Sequence, residues 1–389
     1  MIRKIIKAIL PRYARDVIVK KYINRPVYNV FKRDYENRVL ISYIVGPFRK
    51  VSFKHENNYS VKCIAEIFDA LGYVVDVAYF EGDIPDLHNY NVIFGFGDAF
   101  TDYFEGDYIK NKKTIHYATG AHVSYQNTAS LKRIKQVKQD RGVLLCKSAR
   151  VVEKNWSHQS TLVDGIIALG NEFSEATHRK HFDGPIINVN VSYFQTVDPK
   201  KILNDRHIDA NKTFLWFGSS GLIHKGLDLC LELFSERPDL TLHVCGLLGS
   251  EPDFISEFSK ELYDTPNIKT HGFVDINSDK FKEILRSCSF IVFPSCSEGG
   301  CSAVATAVGN GALIPIVTRA TTISSGSEIN IDGLSLADLA SAIEVAEELS
   351  EAEVRRLQLE NLAYFSTEHS QQQFRENMFK AINTILDGS

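Results

Sequence analysis

Two loops in the second half of the chain combine small residues with a full charge. In the first, the strand-like segment 214–218 runs into a Gly-Ser-Ser-Gly loop at 218–221, and Lys225 follows four residues later. Small residues let a backbone approach a ligand closely, and the start of the next helix offers unpaired N–H groups and a positive dipole end. This combination suits a diphosphate. A tight strand–helix turn with a solvated lysine would give the same pattern.

The second loop places Glu298 directly before Gly299 and Gly300, after an apolar segment and before a helix that begins near Ser302. A carboxylate at the end of a strand can accept hydrogen bonds from sugar hydroxyls, and glycine N–H groups can donate to a sugar or a phosphate. The alternative is that Glu298 only favours the start of the helix.

The first half of the chain offers amides and histidines. Gly46 follows the first strand, where it would let a diphosphate approach. His55, Asn57 and Asn58 form a polar cluster before a helix predicted at 59–71. These three residues either line an acceptor site or cap that helix.

Two further pairs follow predicted strands. His122 lies in a loop that we expect to face a cleft, where it would orient a sugar. His116 ends the preceding strand and is either on the acceptor side or a satisfied core histidine. Asn171 and Glu172 follow the fifth strand and are also expected on the acceptor side, unless Glu172 only starts the next helix.

Short apolar segments alternate with helical patterns through most of the chain. The predicted strands are 38–45, 74–79, 92–96, 113–117, 165–170, 214–218, 240–246, 268–274, 289–294 and 313–317. Such alternation predicts parallel sheets covered on both faces. The fold class is therefore α/β, with two doubly wound, Rossmann-like domains facing across a cleft and ligands at the carboxyl ends of the strands.

The expected domain organisation has three parts. Residues 1–35 form a basic segment, 36–195 the first domain together with the C-terminal helix 370–389, and 205–369 the second domain. The polar segment 184–212 is predicted to connect the two domains.

Composition narrows the class of protein. With 389 residues and a net charge of −4, the chain gives no case for nucleic-acid binding. Its seven cysteines show no metal-binding spacing and are expected to be buried thiols in a reducing cytosol.

Residues 1–35 hold ten Lys or Arg against two Asp. They would lie on an anionic membrane surface at the inner face of the plasma membrane, or form a solvated helix of a cytoplasmic protein.

The blocks FLWFGSSGLIHKGLDL, TLHVCG, NIKTHGFVD, FIVFPSCSEGG and GALIPIVT resemble the C-terminal domain of glycosyltransferase family 4, over roughly 212–320. HYATGAHVSYQN and DGIIALGNE resemble, more loosely, a bacterial branch of that family found in surface-polysaccharide synthesis. The resemblance implies a GT-B fold, a nucleotide-sugar donor and retention of anomeric configuration. It also implies no divalent metal, and the sequence contains no Asp-x-Asp.

The resemblance also assigns roles to residues. Lys225 matches the lysine of a basic pair that holds the donor diphosphate, and the arginine of that pair is replaced by Ser220. Glu298 matches a glutamate that contacts the donor sugar, and a second glutamate, for the ribose, is replaced by Thr306. His122 falls where the family often has a histidine near the donor sugar.

We expect Glu298, His122 and Lys225 to be catalytic. The residues expected to bind the donor are Gly46, Gly218, Ser219, Ser220, Gly246, Val274, Ser297, Gly299, Gly300 and Thr306. The predicted function is transfer of a hexosyl group from a UDP-, GDP- or dTDP-sugar to a glycan or lipid-linked acceptor, without a cofactor. The alternatives are a non-catalytic nucleotide or sugar binder, favoured by the missing arginine and glutamate, and a GT-B epimerase. A two-lobed periplasmic receptor is disfavoured because no signal peptide is recognised.

Overall fold

The computed structural model describes residues 24–49, 56–108, 111–154 and 159–388. Within these ranges the chain forms two parallel, six-stranded sheets with helices on both faces. The expectations for His55 and for residues 1–23 of the basic segment lie outside the described residues.

The first sheet has the strand order β2-β1-β3-β4-β5-β6. Its strands are β1 Asn37–Tyr43, β2 Tyr73–Tyr79, β3 Val92–Gly95, β4 Lys113–Ala118, β5 Gly165–Leu169 and β6 Ile186–Val189. The helices between them are α1 Glu56–Ala70, α2 Asp98–Glu105, α3 Val123–Arg141 and α4 Glu172–Arg179. The central strands are almost wholly buried, as continuous apolar runs in parallel sheets require.

The second sheet has the order β12-β11-β10-β7-β8-β9. Its strands are β7 Thr213–Phe217, β8 Thr241–Cys245, β9 Ile268–Gly272, β10 Phe290–Phe293, β11 Ile314–Thr318 and β12 Ile329–Ile331. The remaining helices are α5 Pro199–Asn204, α6 Leu227–Ser235, α7 Pro252–Glu257, α8 Ser259–Tyr263, α9 Asp279–Ser287, α10 Ser302–Gly311, α11 Leu336–Glu348, α12 Glu351–Glu368 and α13 Gln371–Asp387. The strand order reverses between β7 and β10, which creates a crevice at their carboxyl ends.

All ten predicted strands are present. The segment 184–212, predicted to connect the two domains, also contains a strand and a helix that were not predicted. This segment contains β6, which pairs with β5 in parallel, and α5. The apolar pattern of β6 is interrupted by Asn188, whose side-chain amide donates to Glu175 at 2.8 Å. An edge strand has only one neighbour and is half exposed, so it tolerates such a residue and gives a weak sequence signal.

The helix predicted at 59–71 also begins earlier than expected. Helix α1 starts at Glu56, so Asn57 and Asn58 lie inside its first turn rather than before it. The helix favours an acidic residue at this position because its N-terminal dipole end is positive.

The last helix, α13, packs on the first sheet. The side chain of Ile385 covers Gly165, where an added Cβ would lie 2.8 Å from Ile385 atoms. The Tyr59 hydroxyl donates to the carbonyl of Gln371 at 2.8 Å, and Arg375 pairs with Glu66 at 2.6 Å. The chain therefore passes between the two domains twice, while the domain boundaries stay predictions.

Helix α3 belongs to the first domain but contacts the second along one side. The guanidinium of Arg133 donates to the carboxylate of Asp228, and the two residues are 2% and 3% exposed. Burial raises the pKa of Asp228, and Arg133 opposes that shift. Gln136 donates to the carbonyl of Leu334 at 3.1 Å, and Arg141 pairs with Glu261 at 2.8 Å. This contact holds the domains together beside the cleft.

Candidate functional site

The carboxyl ends of β7 and β10 bring Lys225 and Glu298 together across 73 residues of sequence. The Lys225 ammonium donates to Oε1 of Glu298, and the Ser295 hydroxyl donates to the same oxygen at 3.1 Å. Lys225 Nζ also lies 5.4 Å from the ring centre of Phe293. The side chains of the ion pair are only 6% and 11% exposed, so the pair is held in a low-dielectric place at the crevice.

Electrostatics keep Glu298 ionised. Burial alone would raise the pKa of its carboxyl, but Lys225 and Arg150 outweigh burial and lower the pKa to about 2. Glu298 is therefore a carboxylate at neutral pH, and it offsets much of the charge of Lys225. A dianionic ligand at this place needs a further cation.

Arg150 supplies such a cation from the first domain. Its Nη1 lies 4.0 Å from Oε2 of Glu298, and its side chain is 46% exposed. An added Cβ on Gly221 would lie 3.2 Å from Arg150 Cδ, so the side chain packs against the loop 218–221. Sequence reasoning missed Arg150 because it lies in an irregular segment after α3, and only the contact between domains brings it to the site.

His224 connects the loops around the ion pair. Its Nδ1 lies 2.8 Å from the Ser130 hydroxyl of α3, and its Nε2 contacts the carbonyl of Ser297. Burial lowers the pKa of His224 to about 4, so the ring is neutral at neutral pH. A neutral ring accepts at one nitrogen and donates at the other, which fixes Ser297 and helix α3 relative to Lys225. The Ser297 hydroxyl has no hydrogen-bond partner among the described residues.

The glycines after Glu298 pack directly on the first domain. An added Cβ on Gly299 would lie 2.6 Å from the Cα of Gly120 and from the carbonyl oxygen of Thr119. Gly300 has a φ of +68° and donates from its backbone N–H to the Thr322 hydroxyl at 2.5 Å. Only glycine allows this approach without displacing backbone atoms.

We expect Gly299→Ala to lower the free energy of unfolding by about 1–3 kcal/mol, because the new methyl group would overlap backbone atoms that cannot rotate away. Urea unfolding of the purified chain measures this. Gly249→Ala is the matched control, since an added Cβ there has no atom within 4 Å. Equal stability of the two variants would show that the contact between Gly299 and the first domain does not form.

Three cavities lie along the cleft, and we name them by their walls. Neither Lys225 nor Glu298 is among the residues that line them. The β7–β9 cavity has a volume of about 180 Å³. Five of the predicted donor-binding residues line it: Gly218, Ser219, Gly246, Val274 and Thr306. The Thr306 hydroxyl donates to the carbonyl of Ser302 at 2.7 Å. Glu56 and Phe194 reach this cavity from the side of the first domain.

The histidine cavity, of about 220 Å³, lies at the carboxyl end of β4 and also contains Arg150. His116, His122 and His178 line it. His122 caps α3 by accepting from the Ser124 N–H at 3.3 Å. Burial lowers the pKa of His116 to about 3, so its ring stays neutral. The structure thus brings His122 and His116 into one cavity, with Arg150 between them and Glu298.

The interdomain cavity is larger, at about 630 Å³, and is separate from the other two. Asn171 and Glu172 line it rather than the histidine cavity. Asn171 caps α4 by accepting from the Phe173 N–H at 3.1 Å and donates to the Ser324 hydroxyl at 3.1 Å. Glu172 is the first residue of α4. Both residues therefore have local structural roles as well as a place facing a cavity.

Five predicted donor-binding residues line none of these cavities: Gly46, Ser220, Ser297, Gly299 and Gly300. Gly46 is exposed, and an added Cβ there would have no atom within 4 Å. Ser220 is exposed and lines none of the three. Among the described residues, no group of His, Cys, Asp and Glu is arranged to hold a metal ion.

The second half of the chain matches a known protein family, and nearly the whole chain resembles solved structures. Residues 199–364 match the family model described as glycosyl transferases group 1. No curated protein sequence matches the chain significantly. Sucrose-phosphate synthase from Thermosynechococcus elongatus has a similar structure, with a TM-score of 0.63 and 13% identity, covering 91% of this chain and all of that one.

Two further solved structures are similar. Anabaena HepE in complex with UDP has a TM-score of 0.59 at 10% identity, covering 90% of this chain and 100% of that chain. S. aureus TarM, in a complex that contains UDP, has a TM-score of 0.51 at 14% identity, covering 88% of this chain and 61% of that chain. These similarities show that the two facing domains form a GT-B fold.

Proposed function

We propose that this protein is a glycosyltransferase that moves a sugar from a nucleoside diphosphate donor to a glycan or lipid-linked acceptor. The matched group 1 domain and the GT-B fold support glycosyl transfer at this general level. The observation that carries the proposal is the Lys225–Glu298 pair at the switch point of the second sheet, with Arg150 facing it from the first domain.

The β7–β9 cavity is the proposed site for the base and ribose of the donor. It has apolar walls from Phe217 and Val274, and small residues that let backbone groups face a ligand. UDP is the first candidate nucleotide, because the HepE and TarM structures are complexes that contain UDP. GDP- and dTDP-sugars stay as alternatives.

The charges around Glu298 suit departure of a diphosphate. As the bond between the anomeric carbon and the diphosphate oxygen breaks, its electron pair stays with the diphosphate. Lys225, Arg150 and the N-terminal end of α10 would stabilise that growing charge. The acceptor hydroxyl oxygen forms the new bond to the anomeric carbon, and its proton passes to the departing diphosphate. Retention of configuration and independence of a divalent metal belong to this proposal and rest on the sequence resemblance.

Glu298 and the histidine cavity would hold the sugar. An ionised carboxylate accepts hydrogen bonds from sugar hydroxyls, and the low pKa of Glu298 keeps it in that form. His122 and His116 line the adjoining cavity in the first domain, where the acceptor would approach. The neutral ring of His116 can hydrogen-bond a hydroxyl group without adding charge.

The cellular setting is also part of the proposal. No described helix is long and apolar enough to cross a membrane. A cytoplasmic enzyme whose residues 1–35 lie on an anionic inner membrane surface would meet a lipid-linked acceptor there. Surface-polysaccharide synthesis of the cell envelope is the process that the sequence resemblance suggests.

A non-catalytic nucleotide binder is the second candidate. It is favoured by the pairing of Lys225 with Glu298, which leaves less free charge for a leaving group. This candidate predicts nucleotide binding without release of nucleoside diphosphate in the presence of any acceptor.

A thermal-shift screen of UDP, GDP and dTDP, and of their sugars, tests the proposal. A ligand that binds only the folded chain raises its stability by about 2.7 kcal/mol at 100 times its dissociation constant. We expect one nucleotide to raise the unfolding temperature by several degrees. The same nucleotide sugar, incubated with chain and glycan acceptors, should then release nucleoside diphosphate. No shift with any of them would contradict a nucleotide-sugar donor.

A further inference from the structure

The carboxyl group of Glu56 is buried at the wall of the β7–β9 cavity. Glu56 is the first residue of α1 and is 7% exposed, and it lines a cavity whose other polar side chains come from the second domain. The Ser192 hydroxyl donates to its Oε1. Its Oε2 has no hydrogen-bond partner within the described ranges. A buried carboxyl oxygen without a partner is costly, so a native structure that keeps one calls for an explanation.

The protonation of Glu56 determines what it can bind. Burial raises the pKa of its carboxyl to about 8, and the hydrogen bond from Ser192 opposes that shift only in part. At neutral pH the group is therefore mostly a neutral acid. A neutral acid donates from one oxygen and accepts at the other, which matches a hydroxyl group better than a phosphate or a cation.

Two other polar side chains of the cavity, those of Thr306 and Asp275, have less hydrogen-bonding capacity left. The Thr306 hydroxyl gives its hydrogen to the carbonyl of Ser302, so it can only accept from a ligand. Asp275 also lines the cavity, but its Oδ1 accepts from the backbone N–H of Asn277 at 3.0 Å and from the Asn277 side chain at 3.1 Å. Asp275 thus organises its own turn. Glu56 is the carboxyl that is buried at the cavity with an oxygen left to bind.

We propose that Glu56 hydrogen-bonds a ribose hydroxyl of the nucleotide, opposite Thr306, so that the first domain also recognises the donor. The inference rests on the proposed function, because it takes a nucleoside diphosphate as the ligand of the β7–β9 cavity. Of the polar parts of such a ligand, the diphosphate belongs with Lys225 and Arg150. The ribose diol has hydroxyls that donate and accept, as Glu56 and Thr306 together require.

This arrangement couples nucleotide binding to the relative position of the domains. Glu56 lies on α1 of the first domain, and Thr306 lies on α10 of the second. A ribose bound to both spans the cleft, so a nucleotide that lacks one hydroxyl loses part of the contact between domains.

Calorimetric titration of the full chain with UDP, 2′-deoxy-UDP and 3′-deoxy-UDP tests the inference. We expect the wild-type chain to bind UDP about three- to tenfold more tightly than one of the deoxy analogues, as the loss of one hydrogen bond implies. In Glu56→Ala the preference should fall below about twofold, since one hydrogen bond is no longer made. Because the ratio compares ligands on one variant, a general loosening of the cavity lowers both affinities and leaves the ratio unchanged.

Two further variants make the result specific. Glu56→Gln keeps a donor and an acceptor and should retain part of the preference, and its unfolding temperature shows whether the chain is folded. Glu66→Ala removes an exposed carboxylate of the same helix, paired with Arg375, and should retain the full wild-type ratio.

The outcomes separate the inference from the proposed function. If Glu56→Ala keeps the wild-type ratio of affinities for UDP and the deoxy analogue, the inference is overturned. It is also overturned if the wild-type chain binds all three nucleotides equally. A wild-type chain that binds none of the three would overturn the UDP donor, and the inference with it.

Discussion

Replacing Lys225 by alanine is expected to lower kcat/KM for sugar transfer by about 100- to 1000-fold, the usual loss on removal of one group that stabilises charge in a transition state. The variant loses the cation nearest the departing diphosphate. It also leaves the carboxylate of Glu298 in a mostly buried place without its partner, where it would repel an incoming diphosphate. Initial rates with the donor found by the nucleotide screen measure the effect.

The double variant Lys225→Ala/Glu298→Gln separates these two causes. If repulsion by Glu298 contributes, the double variant should bind the nucleotide diphosphate more tightly than Lys225→Ala, yet still transfer slowly. Lys282→Ala is the control, because Lys282 is partly exposed on α9 and pairs there with its neighbour Asp279. Transfer by Lys225→Ala at the rate of this control would disprove the assignment of the leaving-group site.

Asp228→Ala is expected to lower the free energy of unfolding by about 3–5 kcal/mol, because it leaves the guanidinium of Arg133 buried without its carboxylate. Arg133 is 2% exposed and lies between the two domains, so water cannot replace the lost partner without separating them. Denaturant unfolding followed by circular dichroism measures the change.

The double variant Arg133→Met/Asp228→Leu should recover most of that loss, because it removes both buried charges. Arg356→Ala is the matched control. Arg356 forms an exposed pair with Glu360 on α12, so its removal should cost about 0.5 kcal/mol or less. If Asp228→Ala lowers the free energy of unfolding as little as the control does, the Arg133–Asp228 contact is solvated.

The sequence predicted the parts of the fold that depend on local patterns. Continuous apolar runs identified ten strands, and the loops that carry Lys225 and Glu298 were each expected to follow a strand, as they do. Parallel strands place their carboxyl ends at one edge, so two loops far apart in sequence could be brought together by topology alone.

The residues that sequence reasoning missed depend on contacts between domains. Arg150 lies in an irregular segment, and Arg133 lies in a helix whose sequence reads as largely polar. The local sequence reveals neither residue, because it is the same for a charged side chain that packs against a second domain and for one that faces water. Glu56 was missed for a different reason, because an acidic residue in the first turn of a helix is ordinary and gives no sign that it will be buried.

The position of α13 on the first sheet also bears on how the chain is made. Helix α13 covers β5 beside Gly165, yet the ribosome synthesises it only after the whole second domain. Domains generally fold during translation as their last segment emerges. The apolar surface of the first domain that α13 covers therefore stays exposed while the second domain is synthesised. Chaperones that bind exposed apolar surface can bind there throughout that time.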